Sequence, residues 1–431
     1  MRSFWKILYT ALIIPLLWCL LQTMGLLIPK VRKGIQGRVL LFPDLERNIK
    51  KLRPGPRVWF HASSLGEFEQ AKPIIRELKQ RYPGINVIAS FFSPSGYDHS
   101  RNYPLADVIT YIPFDTPRNV RRYLDLIRPD IAIMVRYDVW PNMIWELQSR
   151  GIPTMVANAT MRQTSARLLP FAKSFHHSLY GSIGDILTVS EDDARAFRRF
   201  GLNGSTLEAI GDTRYDQVSV RSAEARKRHL LPDAVVKGKS VVVIGSSWPE
   251  DEEVVVPAFL EVRKTIPNVL LVVVPHEPVL EHIVELERKF NGTASTLRFS
   301  ALNEYAGEEV IIVDSIGILL VLYASASIAF VGGSFRQGIH NVLEAAVYGI
   351  PVVFGPRYKN SHEPGALVEA GGAFVVADAQ QLETVLLRLL TDESARKEAG
   401  ARAAEFVMRN TGATDRVLQH LEPYIALKRT I

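Results

Sequence analysis

A carboxylate, Glu67, stands where a short apolar strand is predicted to end and a helix to begin. The residues before it, Phe60–Ser64, change from apolar to small, as is typical of a tight turn after a buried strand. An acidic side chain in the first turn of a helix can simply complement the helix dipole, a contribution of about 0.3–1 kcal/mol. It can also act as a general base, because the dipole keeps it ionised while closure of an apolar cleft restores its basicity. The residue types leave both interpretations open, and His61 is predicted to be a core or turn residue.

A glycine-rich stretch, Gly332–Ala345, also begins at the end of a predicted strand and runs into a helix. Its glycines let backbone N–H groups approach an anion, and the helix start adds partial positive charge. Asn341 and Glu344 are one helical turn apart and are predicted to share a face, where the carboxylate can accept hydrogen bonds from ribose hydroxyls. A turn that only packs on its neighbour is the alternative. The stretch is not G-x-G-x-x-G, so no dinucleotide cofactor is expected.

Other turns in the second half follow strands at the same predicted sheet edge. Pro275–Pro278 comes after one strand and Asp314–Ile318 after another, while Gly245–Trp248 is predicted to line the same pocket. Each is an ordinary strand-to-helix turn when taken alone. Three turns on one rim are nevertheless what a nucleotide pocket requires.

Charged residues also follow strands in the first half of the chain. Asp138 and Arg214 either pair with each other or place charge on a substrate. Arg162 belongs to a solvated face by default, with the clamping of lipid phosphates as the alternative.

The composition excludes several classes of site. The one cysteine, Cys19, allows neither an intramolecular disulfide nor a cysteine metal cluster. The absence of a zinc signature, a G-x-S-x-G elbow and a Walker loop argues against hydrolases and NTPases. A formal net charge of +6 is compatible with an anionic lipid surface, a phosphorylated substrate or nucleic acid.

The elements that must position these residues read as alternating strands and helices. A chain of 431 residues is expected to form two domains. Short apolar runs separated by amphipathic segments predict two consecutive doubly wound α/β domains, with ligands at the carboxyl ends of the strands and between the domains. The predicted strands are Val58–Ala62, Asn86–Phe91, Ile131–Val135, Pro153–Ala157, Ile186–Val189, Leu207–Ile210, Val241–Ile244, Val269–Val274, Val310–Val313, Ile328–Val331 and Pro351–Phe354.

The N-terminus carries an uncharged apolar run, Ile7–Ile28. It is long enough to cross a hydrocarbon core of about 30 Å as a helix, and a retained membrane anchor is expected. Lys30, Arg32, Lys33 and Arg38 follow it and outweigh the two cations before it. This asymmetry predicts that the main body is cytoplasmic, and the same cluster can hold anionic headgroups.

Taken together, these residues resemble the Kdo transferases, which attach 3-deoxy-manno-octulosonic acid (Kdo) to the lipid A precursor. The most specific motifs are H-A-S-S-L-G-E at His61–Glu67, W-P-N at Trp140–Asn142, N-A-T-M-R at Asn158–Arg162 and G-G-S…G-x-H-N-x-x-E at Gly332–Glu344. The resemblance implies a GT-B fold, a CMP-Kdo donor, no metal cofactor and no nucleic-acid partner.

The resemblance also implies roles for individual residues. The catalytic set comprises Glu67, Asp138 and Arg214, and acceptor binding falls to Ser64, Gly66 and Arg162. The nucleotide-binding positions are Pro275, His276, Ile316, Gly317, Ile318, Gly333, Ser334, Asn341, Val342, Leu343 and Glu344.

This chain departs from the family pattern at several of these positions. His276 stands in a turn that contains no arginine, whereas the family usually has P-R-H-P-E-R there. Arg136-Tyr137-Asp138 replaces E-T-E, Arg214 replaces a lysine, and Ile318 replaces a usual glutamate. A divergent branch of the family is therefore expected.

The sequence thus predicts an inner-membrane enzyme of lipopolysaccharide biosynthesis. It would transfer Kdo from CMP-Kdo to lipid IVA with inversion, and Glu67 would be the base. The expected divisions are an anchor at 1–30, an acceptor domain at 31–220, a donor domain at 221–405, and a helix at 406–431 that crosses back to the first domain. The alternatives are a UDP-sugar GT-B transferase or epimerase, and a non-catalytic membrane-tethered binding protein.

Overall fold

The computed structural model describes residues 2–426, within which the chain divides into two compact units. Unit 1 comprises Met1–Gln217 and Thr411–Ile431, and unit 2 comprises Val218–Asn410. In the described residues, each unit is built around one parallel sheet of seven strands. Most strands are buried on both faces because helices cover both sides of each sheet, whereas the edge strands Thr206–Ala209 and Thr296–Arg298 are partly exposed.

The sheet of unit 1 has the order β3-β2-β1-β4-β5-β6-β7. The strand order reverses between β1 and β4, and the carboxyl ends of strands at such a reversal are where ligands bind in doubly wound folds. The strands are β1 Arg57–Ala62, β2 Asn86–Phe91, β3 Val108–Tyr111, β4 Ile131–Val135, β5 Thr154–Ala159, β6 Asp185–Thr188 and β7 Thr206–Ala209.

The helices of the first part of the chain lie before, between and after these strands in the sequence. They are α1 Arg2–Leu8, α2 Ile14–Leu27, α3 Pro29–Gly37, α4 Leu41–Ile49, α5 Leu65–Arg81, α6 Pro94–Ser100, α7 Pro117–Ile127, α8 Pro141–Ser149, α9 Pro170–Tyr180, α10 Glu191–Arg198 and α11 Thr213–Ala225, with a 3-10 turn at Ala166–Leu168.

The sheet of unit 2 has the order β10-β11-β9-β8-β12-β13-β14, with its reversal between β8 and β12. Its strands are β8 Ser240–Ser247, β9 Val269–Pro275, β10 Thr296–Arg298, β11 Val310–Ile312, β12 Ile328–Val331, β13 Val352–Phe354 and β14 Ala373–Val375. The remaining helices are α12 Asp233–Val236, α13 Pro249–Thr265, α14 Leu280–Phe290, α15 Leu319–Leu322, α16 Leu343–Ala346, α17 Glu363–Glu369, α18 Ala379–Thr391, α19 Glu393–Arg409 and α20 Ala413–Ala426, with 3-10 turns at Phe299–Glu304 and Tyr323–Ser325.

The C-terminal helix α20 belongs to unit 1, where Val417, Leu418 and Leu421 join the apolar cluster around Phe68 of α5. The start of this segment is held by Asp216, whose carboxylate accepts the backbone N–H groups that precede and open α20. The start of α20 is therefore tied to α11 by hydrogen bonds, while its apolar residues pack against α5.

The N-terminal helix runs from Arg2 to Leu27 through a π-helical turn at Tyr9–Ile13, just before Pro15. Among the described residues it is the one helix long and apolar enough to cross a membrane. Trp5, Tyr9 and Ile14 are nevertheless buried, and they cluster with Trp145 of α8. Half of this helix is therefore docked on unit 1.

The eleven predicted strands all occur, most with ends shifted by one or two residues. The sequence missed β3, β10 and β14, which have three or four residues and lie at sheet edges. A strand at a sheet edge is less completely covered, so its apolar run can be short and is harder to recognise in the sequence.

Candidate active site

Glu67 lies in the first turn of α5, directly after β1, and is 6% exposed. Its Oε2 accepts the backbone N–H of Ser63 at 2.5 Å and that of Ser64 at 3.3 Å. Its Oε1 makes no hydrogen bond with any of residues 2–426. Beside it, a Cβ added to Gly66 would meet nothing within 4 Å. The turn therefore holds one carboxylate oxygen rigidly and leaves the other for a ligand.

Asp138 follows β4, the strand next to β1 at the reversal of the sheet. The chain turns there through Arg136, whose φ of 64° is in the left-handed region. Asp138 Oδ2 lies 2.9 Å from Nε2 of His61, which is fully buried at the end of β1. His61 Nδ1 lies 2.9 Å from Oγ of Ser90. His61 is thus a positioning residue for Asp138, a role that its place in the sequence did not show.

The pKa values of the carboxyl groups of Glu67 and Asp138 are shifted in opposite directions. Burial, followed by the charge of Asp138, raises the pKa of Glu67, although the Ser63 amide opposes this. Burial alone would raise the pKa of Asp138 as well, but the hydrogen bond and charge of His61 hold it below its ordinary value. Paired carboxyls whose environments separate their pKa values are typical of acid–base sites. Glu67 is therefore the stronger base of the two.

Arg214 opens α11 and donates to the buried carboxylate of Asp212, with Nη2 and Oδ2 2.7 Å apart. Asp138 has His61 as its partner, so each of the two charged residues singled out in the sequence has its own counter-group. Arg162 is exposed, whereas Asn158 of the same motif is fully buried.

Asn158 joins two of the sequence motifs. Its φ is 54° and its side chain is fully buried. Asn158 Oδ1 accepts the Thr213 N–H at 3.1 Å, and its Nδ2 donates to Thr213 Oγ1 at 2.9 Å. Thr213 in turn donates to the Gln70 carbonyl in α5. Asn158 therefore fixes the turn that carries Arg214 against the helix that carries Glu67.

In unit 2, the glycine-rich turn after β12 is held by Asp251 of α13. Its Oδ2 accepts the Gly333 N–H at 2.7 Å. The Gly338 N–H donates to the Gly333 carbonyl, and the fully buried Ser334 hydroxyl accepts the Gly355 N–H at 2.7 Å. The glycine N–H groups of this stretch were expected to approach an anion, but that of Gly338 is already paired inside the turn.

The segment from Asn341 to Glu344 also differs from the expectation. Helix α16 begins at Leu343, and Asn341 precedes it, with its Oδ1 accepting the Leu343 N–H at 3.1 Å. The two residues therefore do not share one helical face. Val342 and Leu343 are buried, while Glu344 Oε1 lies 3.4 Å from Nη1 of Arg221. The physical reason is that Asn341 bonds to the backbone locally and starts the helix late.

Three rings stack at the ends of β8, β9 and β12. His276 stacks on Trp248 and on His340, with centroids 4.8 and 4.4 Å apart. Trp248 Nε1 donates to His340 Nε2 at 2.9 Å. Burial, and then the neighbouring His276, lower the pKa of His340 to about 4. His340 is therefore neutral near pH 7. Trp248 was expected only to line the pocket, but it also donates a hydrogen bond to His340.

The other predicted nucleotide positions lie at the same edge of the sheet. Pro275 ends β9 and is buried, whereas Ile316 follows β11 and is 85% exposed. Gly317 has a φ of 83°, which favours glycine. Ile318 caps the start of α15. The turn thus presents backbone rather than charged side chains.

The family model for 3-deoxy-D-manno-octulosonic-acid transferase (kdotransferase) matches residues 34–217. A Haemophilus influenzae 3-deoxy-D-manno-octulosonic acid transferase is 27% identical over 438 residues, 98% of this chain and 99% of that protein. A Bordetella pertussis transferase of the same name is 26% identical over 85% of this chain and 87% of its own length. Residues 34–217 therefore match the Kdo transferase family, and nearly the whole chain is similar to proteins of that name. Its identity to these relatives is low, as expected for a divergent sequence.

Among solved structures, this chain is similar to a UDP-GlcNAc 2-epimerase from Neisseria meningitidis bound to UDP-GlcNAc. The TM-score is 0.59 at 15% identity, covering 85% of this chain and 100% of that one. At this identity the likeness concerns the fold alone, and it confirms the predicted α/β architecture of the GT-B type.

The Kdo transferase motifs do not all serve the same purpose. Of W-P-N, Asn142 donates both its backbone N–H and its side-chain amide to Asp115, and its Oδ1 accepts from Thr10 of the N-terminal helix. Asp115 also accepts from Tyr9. This motif therefore binds the N-terminal helix.

Among residues 2–426, no cluster of three His, Cys, Asp or Glu side chains is arranged to hold a metal ion.

Proposed function

We propose that this chain transfers Kdo from CMP-Kdo to lipid IVA in lipopolysaccharide biosynthesis, with inversion at the anomeric carbon. The match of residues 34–217 to the Kdo transferase family, and the similarity of the chain to transferases of that name, support the reaction class. The observation that carries the proposal is the buried carboxylate of Glu67, which has one unengaged oxygen and a raised pKa beside Asp138.

Glu67 is the general base in this proposal. Its Oε1 takes the proton of an acceptor hydroxyl, whose oxygen forms a bond to the anomeric carbon of Kdo. The bond from that carbon to the phosphate oxygen of CMP breaks on the opposite face, and CMP leaves with the electron pair. The Ser63 and Ser64 amides hold Oε2 throughout, so the base needs no reorientation.

The donor is assigned to the carboxyl edge of the unit 2 sheet. Glu344 accepts the ribose hydroxyls, the turn from Ile316 to Ile318 reads the base through its backbone, and His276 lies beside the phosphate. Pro275, Gly333, Ser334, Asn341, Val342 and Leu343 shape the same pocket. Asp138 and Arg214 support the charge that develops in the transition state, and no metal is required.

The acceptor is assigned to unit 1, at Ser64, Gly66 and Arg162. The N-terminal helix anchors the enzyme at the inner membrane, with both units on the cytoplasmic side and the exposed cations Lys30, Arg32 and Lys33 on the anionic surface. Its apolar length and the exposed leucines Leu16, Leu20, Leu26 and Leu27 support this placement.

Two measurements test the proposal. Mass spectrometry of lipid IVA incubated with CMP-Kdo and the protein is expected to show addition of Kdo. CMP at a hundred times its dissociation constant is expected to stabilise the fold by about 2.7 kcal/mol, and UDP by less. Stabilisation by UDP but not CMP would indicate a UDP-sugar transferase or epimerase. Stabilisation by neither nucleotide would favour a binding protein without this activity.

A further inference from the structure

A cavity of about 300 Å³ opens in unit 1 between the N-terminal helix, α3 and the loop after β2. Its volume is at the lower end of the range for ligand pockets. The walls are mostly carbon, contributed by Trp18, Leu21, Val31, Ile35, Pro94 and Phe114.

Arg38 also lines the cavity, but its guanidinium is already used. It donates to the carbonyls of Gly34 at 2.7 Å, Phe92 at 2.8 Å and Ile112 at 3.0 Å. Its plane also lies over the Phe92 ring, 4.7 Å from the centroid. Arg38 therefore holds the cavity wall in place, and its guanidinium needs no further polar partner from a ligand.

One wall of the cavity continues into the turn of the proposed base. Ser93 lines the cavity, and its backbone N–H donates to the Ser63 carbonyl at 2.8 Å. Ser63 is the residue whose own N–H holds Glu67 Oε2. An apolar group in the cavity would thus contact Ser93, which is hydrogen-bonded to the turn that presents the base.

The lining of the cavity combines apolar and cationic groups. Leu16 and Leu20 lie on the same helix as Trp18 and Leu21, but they are more than half exposed and outside the lining. Lys30 lines the cavity and is itself exposed, and it makes no ion pair with any of residues 2–426. An apolar chain attached to a phosphorylated head matches this combination, because the chain fills the cavity while the phosphate meets the cation.

We propose that this cavity binds a fatty acyl chain of the lipid acceptor and holds that lipid against the turn of Glu67. The proposal rests on the proposed function, because the acceptor must be acylated. It adds a site for the acceptor's apolar part to the polar acceptor residues Ser64, Gly66 and Arg162.

The first test fills the cavity. Leu21→Trp is compared with Leu20→Trp, the adjacent residue of the same helix that does not line the cavity. In transfer assays with CMP-Kdo, Leu21→Trp is expected to raise KM for tetraacylated lipid IVA at least tenfold relative to its deacylated analogue, since each displaced methylene changes affinity roughly fourfold. Leu20→Trp is expected to leave this ratio unchanged. A ratio within twofold of the parent in both variants would overturn the proposal.

The second test does not depend on transfer or on a substitution in the cavity. Lipid IVA brominated in one acyl chain, as a small fraction of unbrominated phospholipid vesicles, is expected to quench the fluorescence of Trp18, taken as the difference from Trp18→Phe. The same fraction of brominated phospholipid is expected to quench much less. Equal quenching by the two lipids would assign the cavity to bulk lipid and overturn the proposal. Saturable quenching without Kdo transfer would leave the cavity assignment standing and refute the proposed function.

Discussion

The turns that follow β1 and β8 can be compared residue by residue, since each enters the first helix after the first strand of its sheet. Helices α5 and α13 both have 17 residues, and each has one proline in its interior, Pro73 or Pro257. Each begins with a buried carboxylate, Glu67 or Asp251, that accepts a backbone N–H of its own turn. The two units thus use the same capping device at equivalent places.

The two carboxylates differ in what lies across the reversal of the sheet. Asp251 faces the turn after β12 and accepts the Gly333 N–H, so it joins two turns. Glu67 accepts N–H groups of its own turn, and across the reversal stands another carboxylate, Asp138, with His61 as its partner. A backbone N–H across the reversal makes the capping carboxylate a link between two turns. A second carboxylate there raises its pKa and favours a role as a base. The neighbouring strand therefore decides what the capping carboxylate does.

The largest effect is expected when the capping carboxylate of unit 1 loses its charge in Glu67→Gln. The amide oxygen still accepts from Ser63 and Ser64, so the fold is kept, but no base remains and kcat is expected to fall by about 10²–10⁴-fold. Glu77→Gln on the same helix is the control, because its carboxylate pairs with Arg81 at the surface. Transfer within a few-fold of the parent in Glu67→Gln would refute the base assignment.

Asp251→Ala is expected to act on stability instead. It leaves the Gly333 and Trp248 N–H groups without their acceptor, at about 1–3 kcal/mol for each buried group. The thermal unfolding temperature should fall by several degrees and KM for the donor should rise. Glu261→Ala, at an exposed position of the same helix, serves for comparison. A variant with normal stability and a large loss of kcat would mean that the two turns do not differ as described.

Asp138→Asn tests the charge across the reversal. The pKa of Glu67 is raised by burial and then by Asp138, and activity is lost as the pH falls through that pKa. Removing the negative charge lowers this pKa, so the acid limb of the kcat/KM profile is expected to move to lower pH. Asp125→Asn, an exposed carboxylate of unit 1, should leave the limb in place. A limb unchanged in Asp138→Asn would show that the two carboxyls do not interact.

The smallest effect is expected at the stacked rings of unit 2. Trp248→Phe keeps an aromatic face toward His276 but removes the N–H that donates to His340. The free energy of unfolding is expected to fall by about 0.5–1.5 kcal/mol. Denaturant titration measures the change, and a donor KM that rises far more than this loss predicts would place Trp248 in direct contact with the nucleotide.

Much of the fold could be predicted because it depends on local patterns. Buried parallel strands are short apolar runs, and eleven strands were recognisable, whereas three of the four edge strands were not. The position of Glu67 was equally local, since a strand, a turn and a helix start follow one another in the chain. The helix expected at Asn341 was misplaced because a side-chain hydrogen bond delays its start.

By itself, the sequence determined the two α/β sheets, the apolar N-terminal helix and the family motifs. The tertiary structure alone decided which distant residues meet. His61 and Asp138 are 77 residues apart, Asn158 and Thr213 are 55, and Asp251 and Gly333 are 82. Such pairs form because strand order brings the ends of non-consecutive strands to one edge, and periodicity along the chain does not encode that order.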